Sequence, residues 1–238
     1  MKTVIDITLL IVLALCTWGG YKKGLIGSIA AMLAIVVAIF GAKLLSSAYA
    51  SEVIPALEPF VDGYVSSQDT RNKLLDKLGY GESDKSLDDI LTEDPSLRYD
   101  YAYECVLSLG LYTDRAEELA YRSVSFADSS GNDMTDSITA VLCDTVTYEG
   151  CLVLAFLMIL ILITAVGNLF NLSLRIPNME SVDEIGGAVF GFLKGMVYCV
   201  LLSWVLSYFG IVIGKATLGG TVLGRFFLSF RFIIDTLI

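Results

Sequence analysis

The chain alternates between long apolar runs and one broad polar interval. Residues 3–20 are nearly all apolar and hold a single acid, Asp6. A second run, LIGSIAAMLAIVVAIFGAKLL, covers 25–45. After the interval come CLVLAFLMILILITAVGNLFNL at 151–172 and a fourth run at 185–213. At about 1.5 Å per residue, each run, with its flanks, is long enough to cross a ~30 Å hydrocarbon layer as a helix. The breaks within each pair are short: Trp18-Gly19-Gly20-Tyr21-Lys22-Lys23-Gly24 in the first, and Arg175, Pro177 and Asn178 in the second. A cleaved signal peptide fits the first run poorly, since no small-residue cleavage site follows it and the next segment is again apolar. Leu13-Ala14-Leu15-Cys16 is a poor lipoprotein site because Leu15 is too bulky before the cysteine.

The interval carries helical signals of a water-exposed kind. Amphipathic pieces are expected at Thr70–Leu78, Ser86–Leu91 and Asp114–Phe126. Ser86 with Asp89 approximates a capping box, and Thr113, with Glu117 and Glu118 behind it, is expected to cap the third piece. Gly79, Gly81 and Ser129-Ser130-Gly131-Asn132 mark breaks. The expected fold is all-α: an integral membrane four-helix bundle with an inserted small helical extramembrane domain. Its parts are helices one and two at 1–45, the insert at 46–147, helices three and four at 148–213, and a C-terminal tail at 214–238. The tail places Phe226, Phe227, Phe230 and Phe232 beside Arg225 and Arg231, a pattern suited to an interfacial amphipathic helix.

Charge sharpens this division. Residues 46–147 hold 20 acidic and 7 basic side chains, a net −13, while the rest of the chain carries +3. The absence of histidine removes Ser-His-Asp hydrolysis, Cys-His catalysis and HExxH zinc chemistry from this chain. The insert shows no DxDxDG calcium loop, so its acids read as a solvated surface. No phosphate loop, dinucleotide fingerprint or basic nucleic-acid stripe appears, and no catalytic site, metal site or cofactor is expected. The five cysteines form no CxxC pair; Cys16, Cys151 and Cys199 read as small apolar helix residues. A Cys105–Cys143 disulfide requires an oxidising compartment, and reduced thiols are the expectation.

Basic residues in short loops stay in the cytoplasm, so Lys22 and Lys23 place the first turn inside. Arg175 places the second turn inside more weakly, because Glu180, Asp183 and Glu184 surround it. The expected topology puts the N-terminus, the insert and the C-terminus outside. Two intramembrane polar residues stand out. Asp6 is either an interfacial acid or a group facing the bundle interior. Lys194 is either a snorkelling lysine or a cavity cation that meets an anionic solute or an acid such as Asp183. Gly24, Ser28 and Ala31 lie near one face of helix two, and Gly187, Gly191 and Gly195 share a face of helix four. Such stripes let helix backbones approach, within one bundle or between copies of the chain.

Two blocks resemble the CvpA family, the colicin V production proteins. The first is Ile5-Asp6 followed by Gly20-Tyr21-Lys22-Lys23-Gly24-Leu25, similar to the family's acidic start and G-x-[KR]-[KR]-G turn. The second is Asp183 followed by Gly187-Ala188-Val189-Phe190-Gly191-Phe192-Leu193-Lys194-Gly195, similar to D-[RK]-x-x-G-x-x-x-G-x-x-[KR]-G. Glu184 departs from the pattern, standing where the family often has a basic residue, and the insert is much longer than the loop of smaller members. The resemblance implies a bacterial inner-membrane protein used in colicin V production or export and in envelope homeostasis; without histidine only an Asp/Glu or Lys mechanism remains and no catalytic pair is visible, so no enzyme is expected. Two readings of its work remain open. One is an accessory or transport-related role built on the bundle. The other is a membrane-anchored scaffold whose acidic insert binds an extracytoplasmic partner protein. A polar cavity reaching Lys194 would favour a solute path, and a dry glycine-packed seam would oppose it.

Overall fold

The computed structural model describes residues 2–80, 86–169, 180–208 and 221–230. All regular structure among them is helical: α1 (Lys2–Val65), α2 (Gln68–Lys77), α3 (Leu87–Glu93), α4 (Leu97–Ser108), α5 (Thr113–Ser130), α6 (Met134–Leu169), α7 (Glu180–Tyr208) and α8 (Val222–Ser229). These form two compact units. Among described residues, the first gathers 2–46, 151–169, 180–206 and 221–230, and the second 47–80, 86–150 and 207–208. Three helical stretches are long and apolar enough to cross a membrane: Thr3–Val65, Met134–Gly167 and Glu180–Leu206.

The first of these stretches contains two of the apolar runs. Helical geometry fails inside α1 only at Gly24 (φ 76°, ψ 177°), a backbone conformation that glycine alone adopts readily. In a straight helix, residues eight apart are separated by about 12 Å along the axis. Here the Ser28 hydroxyl donates to the Gly20 carbonyl at 3.1 Å, so the chain folds back at Gly24. The loop expected over 18–24 is thus a one-residue corner. Trp18 to Lys23 stay helical up to that corner.

Helix limits also depart from the apolar runs at the other ends. α1 continues past residue 45 to Val65, through Pro55 and Pro59, and α6 starts at Met134, well before the run at 151. A change in side-chain polarity marks a change of solvent, whereas a helix ends where its backbone finds other partners.

The two units are packed in opposite senses. In the first, large apolar side chains point outward: Leu15 is 66% exposed, Leu154 70% and Ile161 69%. Much of the interior is small or polar, with Ser28, Ser203, Gly20, Gly187, Gly191 and Gly195 buried beside Leu9, Ile35 and Trp204. This is the arrangement expected when the surroundings are as apolar as leucine and close backbone contact drives association. Gly41 on α1 meets Ile159 of α6 in the same unit.

The second unit has the ordinary water-soluble pattern. Leu74, Leu91, Tyr101, Val106, Leu119, Ile138 and Leu142 form a closed core. Burial pushes the Tyr101 hydroxyl pKa upward. α2 and α3 begin at Ser67 and Ser86, whose side chains accept from the amides of Thr70 and Asp89. The Ser86 hydroxyl donates in turn to the Asp89 carboxylate at 2.7 Å. Thr113 is not the cap of α5; it is already helical, and extended Tyr112 precedes it without a side-chain cap. α4 was absent from the sequence expectation. Its buried face, Tyr101, Ala102, Cys105 and Val106, follows helical spacing but is hidden among tyrosines and acids. Cys105 and Cys143 are buried free thiols. Burial pushes the Cys105 pKa up to about 12.

Candidate functional site

The residues singled out by the sequence converge, within the first unit, where α7 runs antiparallel to the arm of α1 before Gly24. The register can be read contact by contact. The Cys199 thiol donates to the Leu9 carbonyl at 3.5 Å. Gly195 faces Leu13 and Cys16, Gly191 faces Cys16 and Gly20, and Gly187 faces Gly20 and Gly24. A methyl group placed on Gly191 would lie 2.6 Å from the Cys16 carbonyl oxygen and 2.9 Å from the Gly20 Cα. On Gly195 it would lie 3.0 Å from the Cys16 Cβ. Gly19, one position from Gly20, faces open space. The stripe is therefore a surface of direct backbone contact, and along its length the seam holds main chain.

The corner is completed by an acid from α7. Asp183 is 4% exposed, and its Oδ1 accepts the Leu25 amide at 2.8 Å. Leu25 opens the second arm, so this carboxylate caps a helix start from another helix, where its charge also meets the positive end of the backbone dipole. Any side chain at Gly24 would run into the same carboxylate, with 2.7 Å to its Cγ. Glu184 accepts the Tyr21 hydroxyl at 2.7 Å on the exposed side.

Asp6 works in the same way at a second place. Its two oxygens accept the amides of Val222 and Leu223, at 3.3 and 3.0 Å, and so cap the start of α8. Each of the two acids that sequence reasoning tied to the family blocks thus neutralises a helix start remote in sequence. Asp183, which the sequence offers as a prospective partner of Lys194, is taken up by the corner instead. The signal for that role was its place four residues before the glycine stripe, opposite the basic turn.

Lys194 stands beside the seam, half-buried, with Nζ 5.3 Å from the centre of the Tyr198 ring. Lys22 lies at the same distance from the Trp18 ring. Lys22 and Lys23 are exposed at the corner. Arg175, Asn171, Arg231 and Phe232 lie outside the described residues, as does the Asn168 side chain. Among the described residues no group of three or more metal-ligating side chains occurs.

The second unit offers an open cleft of about 350 Å³, lined by Asp88, Arg98, Asp128 and Asp133 among others. Arg98 and Asp128 pair across 3.1 Å.

With this geometry in view, the comparison with known families is decisive for the segment that carries the glycine stripe. Residues 124–230, a little under half of the chain, match the family model described as Colicin V production protein. This stretch belongs to the colicin V production family. No curated protein and no solved structure matches the chain. The matched stretch contains Asp183, the glycine stripe and Lys194, whereas the basic turn at 20–25 lies outside it. The contacts above join the Asp183–Cys199 part of this stretch to the N-terminal block within the first unit, whereas its residues 124–150 belong to the second. The family is not known as an enzyme family, and the match over 124–230 together with the apolar helices supports a CvpA-like membrane protein.

Proposed function

We propose that the protein is a four-span inner-membrane component of the CvpA type that supports colicin V production or toxin export and envelope homeostasis without catalysing a reaction. The observation that carries this reading is the seam itself. The family stretch and the N-terminal block meet backbone to backbone, through glycines, with an acid capping the shared corner. That is the construction of a rigid membrane frame. A solute path along this face is disfavoured, because main chain fills it.

Folding back at Gly24 turns the two apolar runs of α1 into two spans, and α6 and α7 supply two more. With Lys22 and Lys23 at an inner corner, the acidic unit faces outward. Labelling with an impermeant maleimide tests this orientation. A cysteine in place of exposed Tyr121 should react in intact cells, with modification read by mass; protection until lysis would overturn the orientation.

A second reading is favoured by the acidic cleft of the insert: a membrane-anchored scaffold for an extracytoplasmic partner. Replacing residues 60–140 by a short linker separates the two. Toxin export that survives supports the frame reading. Export that vanishes while the bundle still inserts supports the scaffold.

A further inference from the structure

Lys194 is a half-buried cation on an apolar helix, and no carboxylate among the described residues pairs with it. The nearest acids in sequence, Glu184 and Asp183, are engaged at the Tyr21 hydroxyl and the Leu25 amide. The basic charge that reaches Lys194 is Lys23, of the same sign.

The seam fixes how these two lysines are placed. Gly24 lies against Gly187 and Cys16 against Gly195, so Lys23 is level with the first turns of α7 and Lys194 stands about 9 Å deeper. Side chains on a helix lean toward its N-terminus, which for α7 is the corner, so the Lys194 stem reaches back toward Lys23. An unpaired cation at apolar depth is costly, and a second one close by raises that cost. An anion between them removes it. Around Lys194 on its own face lie Phe190, Val197 and Leu201, all partly exposed and apolar, with Tyr198 against the ammonium. A ligand that suits both parts has an anionic phosphate head and hydrocarbon tails.

We propose that Lys23 and Lys194 together hold the phosphate group of an anionic phospholipid, with its acyl chains along Phe190, Val197 and Leu201. This rests on the reading that α1 and α7 span a bilayer, which resistance of the protein to carbonate extraction from membranes tests separately.

The experiment uses the full chain reconstituted in vesicles of phosphatidylglycerol and phosphatidylcholine, then extracted in mild detergent, with retained lipid quantified by mass spectrometry. Phosphatidylglycerol should be enriched over its proportion in the vesicles. Lys23→Gln and Lys194→Gln should each reduce that enrichment about fivefold, the effect of one cation near an anionic lipid. Lys194→Arg should keep it. Lys43→Gln, about 29 Å from the corner along the second arm, should also keep it and so controls for general charge. Size-exclusion profiles matching the wild type establish that each variant is folded, and the Arg variant provides the reading if Lys194→Gln fails that check. Retained lipid in the vesicle proportion overturns the proposal, as does equal loss in Lys43→Gln, which marks a diffuse attraction. Release of phosphatidylglycerol by millimolar inorganic phosphate overturns the lipid assignment and identifies a soluble phosphate as the ligand.

Discussion

Asp183→Ala removes the side chain that accepts the Leu25 amide, at a position where the acid is 4% exposed. Polar contacts between helices in membranes are worth about 0.6–2 kcal/mol. A hydrogen bond to a charged group is worth about 1.5–3 kcal/mol, and a charge at a helix start adds about 0.3–1 kcal/mol. The loss should therefore be about 1–3 kcal/mol. Asp183→Asn keeps an acceptor and loses only the charge, so it should cost about half as much. Gly24→Ala should be at least as damaging, because a positive-φ conformation strains a residue with a Cβ by about 1–3 kcal/mol and the new methyl meets the Asp183 carboxylate. Since Gly24→Ala already displaces the cap, the double variant should cost less than the two single losses added, by about 0.5–3 kcal/mol. Unfolding in mixed micelles with increasing dodecyl sulfate supplies the measurement. Both tryptophans, Trp18 and Trp204, lie in the first unit, and Trp204 is buried, so their fluorescence follows that unit. Tyr21→Phe, which loses only an exposed contact to Glu184, is the control and should change little. Strict additivity of Gly24→Ala and Asp183→Ala, or an Asp183→Ala variant as stable as Tyr21→Phe, refutes the cap.

Four other outcomes follow from the structure. Gly191→Val drives a side chain into the Cys16 carbonyl and should destabilise the first unit by about 1–3 kcal/mol, whereas Gly19→Ala, facing open space, should be neutral or stabilising by up to about 1 kcal/mol; the same micelle titration compares them. Asp6→Ala should leave α1 in place and free the start of α8, at a cost of about 1 kcal/mol, seen as faster amide exchange at Val222 and Leu223; unchanged exchange there would show that Asp6 does not cap α8. The Cys105 thiol should resist maleimide at pH 8 in the folded protein and react on unfolding, since a pKa of about 12 leaves few thiolates. Because that pKa is raised on folding, the stability it contributes is full below about pH 9 and is lost as pH rises toward 12, so a far-ultraviolet melt of the protein should fall in that window.

Much of the helical frame was legible because membrane solvent leaves a long, simple signature: four apolar runs with basic turns. The glycine stripe was legible too, since a spacing of four places Gly187, Gly191 and Gly195 on one face whatever the partner. What they would touch was not, because periodicity carries no information about the opposing helix. The caps were hidden for a related reason. A local cap sits within three residues of the amide it serves and can be read from adjacent letters, as at Ser67 and Ser86. Asp6 and Asp183 serve amides 217 and 158 positions away. α4 was missed because its tyrosines blur the contrast between buried Tyr101 and its outward-facing neighbours, and the true ends of α1 and α6 because they lie in polar sequence.

The distance between Leu25 and Asp183 along the chain also has a meaning in time. Synthesis proceeds at about 5–20 residues per second, so the corner at Gly24 leaves the ribosome roughly 8–30 seconds before the acid that caps it. Throughout that interval the first arm also lacks the glycines it will pack against. The two early helices must therefore wait in the bilayer with an unfinished joint, and any machinery that inserts this chain has to hold a half-built hairpin until its last helices arrive.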